Sequence, residues 1–314
     1  MSGISLLLLP TVFIATIFSS LGIYPIFLYV KRQNQEADKQ TAVYPIVNHF
    51  HKIVTRIFAV TLFLIVFYIG LTFLFALVKI NFPEHLKTVF WVPNRILSAV
   101  YLFLTAIPQV QYILHFLLAL QRFLIYFNPD KDSYLKWTKW RFRIVLITIY
   151  SFFLIKDILY QILPIYYESV IEGLLIFQVV IIVVLNLLLI ISALLYIPIM
   201  ISVLKLTNLA SAIEHKPQIY IFCQIVTHLV TRIIFLQLLL YVTFHNLPAL
   251  VYFNTLIDIF STPLTIQVAY LLCNRKNVQT LLSLSWLTFI RTLFCPSYRQ
   301  ATVRPRADIE STRT

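Results

Sequence analysis

Of the ionisable residues inside apolar stretches of this chain, Lys156, Asp157, His228, Arg232 and Asp258 are those placed to do chemistry. A charge in apolar surroundings is costly, and it is usually turned toward a partner. Arg232 sits ~20 Å and Asp258 ~13 Å from the same end of their helices, at 1.5 Å per residue. An arginine side chain can bridge that offset. The spacing therefore predicts an Arg232–Asp258 ion pair or polar cluster, either a ligand-sensing switch or a static joint between two helices. Catalytic patterns are missing: there is no GxGxxG, Walker loop, HExxH or paired Cys-x-x-C, and the chain has only four glycines. His49 and His51 are two apart and do not share a helix face, so they read as interfacial polar residues, not as a metal site. No catalytic residue, metal or cofactor is expected. Of the three cysteines, Cys223 and Cys273 lie on or at the ends of apolar runs, and no extracellular disulfide is expected. Cys295 follows an amphipathic stretch and suits reversible palmitoylation; the alternative is a free thiol.

The elements that must hold these residues follow from composition. Of 314 residues, 60% are hydrophobic and 12% charged, about half the charge that a soluble domain's wetted surface carries. Apolar runs longer than the ~20 residues of a bilayer-crossing helix recur from end to end. Backbone groups in lipid must be satisfied within each helix. The fold class is therefore an all-α membrane protein, a seven-transmembrane helix bundle with a short interfacial helix after span seven. The spans are predicted at residues 5–30, 53–78, 96–127, 142–163, 173–204, 219–244 and 249–273. They form a transmembrane domain over 1–274, followed by an interfacial helix and a disordered basic tail over 275–314. The first apolar run is too long for the core of a cleaved signal peptide, and no basic segment precedes it.

Orientation can be counted. An outside N-terminus places twenty lysines and arginines on the inner side and four outside, counting Lys156 with the latter. That asymmetry sets an extracellular N-terminus and a cytoplasmic C-terminus. The net charge of +13 is thus a topology signal and a contact to anionic membrane lipids, and nucleic acid is not an expected partner. Pro108, Pro198 and Pro263 fall within spans three, five and seven. Each removes a helical hydrogen bond, giving either a mechanical hinge or a static bend. Arg122 marks the inner end of span three and can snorkel to phosphate or meet a neighbouring helix or cytoplasmic partner.

Seven spans, Gln121-Arg122-Phe123 closing span three and a proline in span seven resemble a G protein-coupled receptor. Arg122 matches the arginine of that superfamily's acidic-Arg-aromatic triplet, while Gln121 replaces the acid. Thr262-Pro263-Leu264-Thr265-Ile266 shares only its proline with Asn-Pro-x-x-Tyr. A closer resemblance is to the nematode serpentine chemoreceptors of class Z. It is carried by Tyr44-Pro45-Ile46-Val47-Asn48-His49-Phe50-His51-Lys52, by the block from Leu118 through Gln121-Arg122-Phe123 to Asn128-Pro129, and by Tyr196-Ile197-Pro198-Ile199-Met200-Ile201-Ser202. The resemblance implies a receptor for small external molecules, signalling through a heterotrimeric G protein, in the plasma membrane of sensory-neuron cilia.

On that reading a ligand enters the outer half of the bundle among spans three, five, six and seven. Gln109, Tyr112, Tyr241 and Asp258 are candidate lining residues of a largely apolar pocket, suited to a volatile or lipophilic molecule. The transmitting surface comprises Arg122, the loop 130–140 with Lys136 and Lys139, and the loop 205–216 beginning at Lys205. The alternative function is a membrane transporter or channel subunit. Against it stand the odd span count, the scarcity of glycine and an uncharged fifth span. A membrane enzyme would need clustered His, Asp or Glu near one face.

Overall fold

The computed structural model describes residues 3–39, 44–77, 84–128, 138–206, 217–243, 247–272 and 275–282. Seven long helices run in order: α1 (Gly3–Lys39), α2 (Tyr44–Leu77), α3 (Glu84–Phe127), α4 (Lys139–Tyr166), α5 (Ile171–Leu206), α6 (Pro217–Thr243) and α7 (Leu247–Leu272). A 3-10 turn at Glu168–Val170 links α4 to α5, and the short helix α8 (Arg275–Leu282) follows α7. Among the described residues there is no strand. This is the all-helical membrane bundle that the apolar runs imply. Five of the helices (α1, α2, α3, α5 and α7) carry apolar stretches long enough to cross a bilayer by length and composition. The other two carry internal charge, Lys156 and Asp157 in α4 and Arg232 in α6.

Helices are longer than the predicted spans at several ends. α1 continues nine residues past residue 30, and α2 begins nine residues before residue 53. The stretches 31–39 and 44–52 thus form helical turns, not a loop and its approach; 44–52 buries Ile46, Val47, Phe50 and His51, while 31–39 keeps Arg32, Gln33, Glu36 and Lys39 exposed. Thr138 caps α4, its hydroxyl accepting from the Arg141 amide at 3.3 Å. Lys139 and Trp140 consequently belong to α4, and Lys205 to the last turn of α5, not to loops. Lys136 lies outside the described residues, as do the tail and Cys295. The interfacial helix predicted after span seven, at the start of 275–314, is described only as far as Leu282.

α3 and α7 form the centre. Two-thirds (67%) of the apolar stretch of each is buried, against 17% for α1 and α5. α3 packs most extensively on α5, and then on α4 and α7; α7 packs on α6, α1 and α2. The outer face of α5 shows what surrounds the bundle: Val180, Val183, Leu187, Ile190, Leu194, Ile197 and Ile201 are all exposed. Such a stripe is tolerable only where hydrocarbon covers it. The same solvent explains why Asn186, Ser192, Thr227, Thr231 and Thr255 each donate to the backbone carbonyl four residues back, at 2.6–2.8 Å. With no water available, a small polar side chain satisfies itself on its own helix.

The described apolar core gathers toward one end. Phe27 and Val30 of α1, Phe50 and Val54 of α2, Leu114 and Leu118 of α3, Tyr196 of α5, Ile221 and Ile225 of α6, and Ile266 of α7 are fully buried. Cys223 in α6 is disulfide-bonded, a pairing not expected from its place on an apolar run; Cys273 lies outside the described residues.

Candidate functional site

Above that core the buried residues turn polar. Each polar stripe repeats every three or four positions, which keeps it on one helix face. On α3 the stripe is Thr105, Gln109 and Tyr112, with Gln111 and His115 beside it. On α6 it is Gln224, His228 and Arg232; on α7 it is Asn254, Asp258, Ser261, Thr262 and Thr265. All except Arg232, which retains slight exposure, are buried.

Arg232 and Asp258 form a salt bridge between α6 and α7. Arg232 also donates to the Asn254 side-chain oxygen. Tyr112 of α3 completes the cluster: its hydroxyl donates to Asp258 Oδ1 at 2.5 Å and accepts from Arg232 Nη2 at 3.1 Å. The guanidinium lies 5.7 Å from the centre of the Tyr112 ring. Asn254 Nδ2 is 3.4 Å from Asp258 Oδ2. One carboxylate and one guanidinium thus tie three helices together through a shared phenol. These further hydrogen bonds offset much of the cost of burying the pair, with the Arg232 Nε left buried and unpartnered.

A second cluster flanks it on the α4 side. Lys156 Nζ is 2.7 Å from Asp157 Oδ1 and donates to Gln109 Oε1 at 2.9 Å. Thr105 Oγ1 donates to Asp157 Oδ2 at 2.9 Å. Counting Lys156 among the outside basic residues is therefore corrected: it is buried within α4 against α3. A polar neighbour across the helix interface makes that burial possible, which no span prediction reveals. A third cluster runs toward the opposite end. The Gln111 amide nitrogen lies 2.9 Å from His228 Nε2 and 3.2 Å from His115 Nε2. One NH2 group carries two hydrogens, enough to serve both rings.

Thr105, Gln109, Tyr112, Gln178, Asn186 and Asp258 are among the residues around a cleft between α3, α5, α6 and α7. The cavity there is about 20 Å³, little more than one water needs. Nine of the thirteen residues around it are polar or charged. Apolar atoms nonetheless make up most of the surface open to the cleft, as in the largely apolar pocket expected. Gln109, Tyr112 and Asp258 all line the cleft. Tyr241 lies in the last turn of α6, and its side chain is outside the described ones.

Arg122 is half-buried near the end of α3, with its Nε buried and unpartnered. The two histidines of α2 part company, as their spacing requires. His49 packs edge-on to Phe142 and Tyr150 of α4. His51 is fully buried between Phe27 and Tyr270. Its ring is thus enclosed by the bundle, because α2 begins earlier than the apolar run suggests. Among the described residues no group of three or more His, Cys, Asp or Glu side chains could hold a metal ion.

A family model described as serpentine type 7TM GPCR chemoreceptor Srz matches residues 10–275. No curated protein and no solved structure matches the chain. The matched stretch runs from the first turns of α1 past the end of α7, and so takes in all seven long helices and every polar cluster described above. The chain belongs to the Srz family of serpentine seven-transmembrane chemoreceptors.

Proposed function

We propose that this receptor detects a small external molecule in the cleft above Tyr112, Arg232 and Asp258 and signals through a heterotrimeric G protein. The observation that carries this reading is the phenol of Tyr112, shared between Arg232 and Asp258, which makes α3, α6 and α7 answer to one site. A ligand that competes for any of these groups loosens a joint between three helices. The cleft is nearly closed, so binding must favour a second helix arrangement, and that differential is what a receptor needs in order to signal. A largely apolar molecule carrying one or two hydrogen-bonding groups suits an apolar surface into which a few polar side chains converge.

The N-terminus faces outward and the basic helix ends face the cytoplasm, where Arg122, Lys136, Lys139 and Lys205 form the surface offered to the G protein. Cys295 is the site for a reversible acyl anchor, and the sensory-neuron ciliary membrane is the expected location. Expression in a G protein reporter cell, challenged with a panel of odorants and metabolites, tests the reading. A saturable response that Arg122→Ala abolishes at equal surface expression is expected. Silence across the panel together with ligand-driven flux in a reconstituted bilayer would replace the receptor with a transporter.

A further inference from the structure

We infer that the junction of α1 with the first turns of α2 holds a binding site for a phosphate group, separate from the cleft and independent of the chemoreceptor reading. A cavity of about 90 Å³ lies there, lined by Lys31, Gln35, Tyr44, Val47, Asn48 and His51. This is several times the space open in the ligand cleft and enough for more than one water. Its chemistry is one-sided. Lys31 brings an ammonium, Gln35 and Asn48 bring amide N–H groups, Tyr44 a phenol and His51 an imidazole N–H, while none of the six residues is acidic. Tyr44 opens α2, so the cavity sits at the positive end of a 34-residue helix, where anions are favoured.

His51 supplies the independent sign of an absent partner. It is 1% exposed, and neither ring nitrogen has a hydrogen-bond partner. Its ring is held 5.1 Å from that of Phe27 and 4.7 Å from that of Tyr270. Tyr270 is in turn fixed through its carbonyl, which accepts from Asn277 at 2.6 Å, and Asn277 accepts from Asn34 at 2.7 Å. Leaving a buried imidazole unpaired is costly, and so is ordering three helices around it. The surrounding charge favours an anion: Arg32 and Lys52 are exposed nearby, and the neighbouring Glu36 is already paired with Lys39 at 2.8 Å. A phosphomonoester offers acceptor oxygens for all of these donors.

The phosphate can come from a lipid headgroup or from solution, and the test separates the two. The full-length chain is placed in nanodiscs of phosphatidylcholine alone, with a minor fraction of phosphatidic acid, or with the same fraction of phosphatidylserine. Both leaflets are alike in such discs, so orientation does not affect the result. Lipid retained after transfer to detergent is read by native mass spectrometry. Selective retention of phosphatidic acid over phosphatidylserine is expected, falling about tenfold in Lys31→Gln and in His51→Phe, the order expected on losing one charge-assisted contact. Displacement of that lipid by inorganic phosphate identifies a site open to soluble ions, and persistence of the lipid identifies a headgroup site. Should His51→Phe not yield monodisperse protein, Lys31→Gln and Asn48→Leu decide. Equal retention of the two anionic lipids, or retention unchanged in Lys31→Gln and Asn48→Leu, would overturn the inference.

Discussion

Inside the bundle, Lys156 and Asp157 are adjacent in sequence and both buried, and they reach α3 through Gln109 and Thr105. Removing one member of a buried pair leaves the other uncompensated and costs about 3–5 kcal/mol, whereas replacing both by apolar residues is often neutral. Lys156→Met and Asp157→Leu are therefore each expected to lower the thermal midpoint of the solubilised receptor sharply, while the double variant recovers most of the loss. Additive losses would show that the two charges do not compensate each other. Much of this chemistry was legible in the sequence. Arg232 and Asp258 stand out because charge is rare in their surroundings, and their distances from the helix ends differ by no more than an arginine side chain can bridge. Tyr112 as their shared partner was not legible, because a tyrosine in an apolar span looks like core. The signal that could have found more is the polar periodicity. Asn254 precedes Asp258 by four residues and His228 precedes Arg232 by four, so each marks the inward face of its helix.

Helix existence followed directly from apolar runs, and helix ends did not. The segments 31–39 and 44–52 are polar enough to read as a loop and its flank, yet they are helical and carry His51 and Asn34 into the bundle. Hydropathy reports where lipid touches a helix; residues 44–52 pack against other helices, and 31–39 extends α1 with no buried residue among those described. Element-scale mechanics centre on Pro263, within α7 and five residues beyond Asp258. Its missing N–H leaves the Ile259 carbonyl without a helical donor, which favours a bend between Asp258 and the inner end of α7. Pro263→Ala restores the donor and stiffens that link. Surface expression is expected to stay near the native level while maximal reporter output falls severalfold. An unchanged dose–response curve would make the proline a static bend.

Taken whole, the molecule is organised by its solvent. Apolar side chains line the outside of α5, polar stripes face one another across α3, α6 and α7, and basic residues crowd one end. With Lys156 assigned to the interior, the outside basic residues fall from four to three, which strengthens the charge asymmetry on which the proposed orientation rests. What the sequence could not supply is which stripe meets which, because that depends on helix rotation and the sequence offers only spacing along each helix. The joint between Arg232 and Asp258 is where spacing and packing meet, and a mutant cycle on it needs neither ligand nor G protein. Thermal or denaturant unfolding in nanodiscs would be followed for Arg232→Gln, Asp258→Asn and the two combined. A coupling of at least about 1.5 kcal/mol is predicted, since contacting partners of one network couple by roughly 0.5–3 kcal/mol. Losses that add to within about 0.5 kcal/mol, as unconnected sites do, would contradict the three-helix joint on which the ligand-sensing proposal rests.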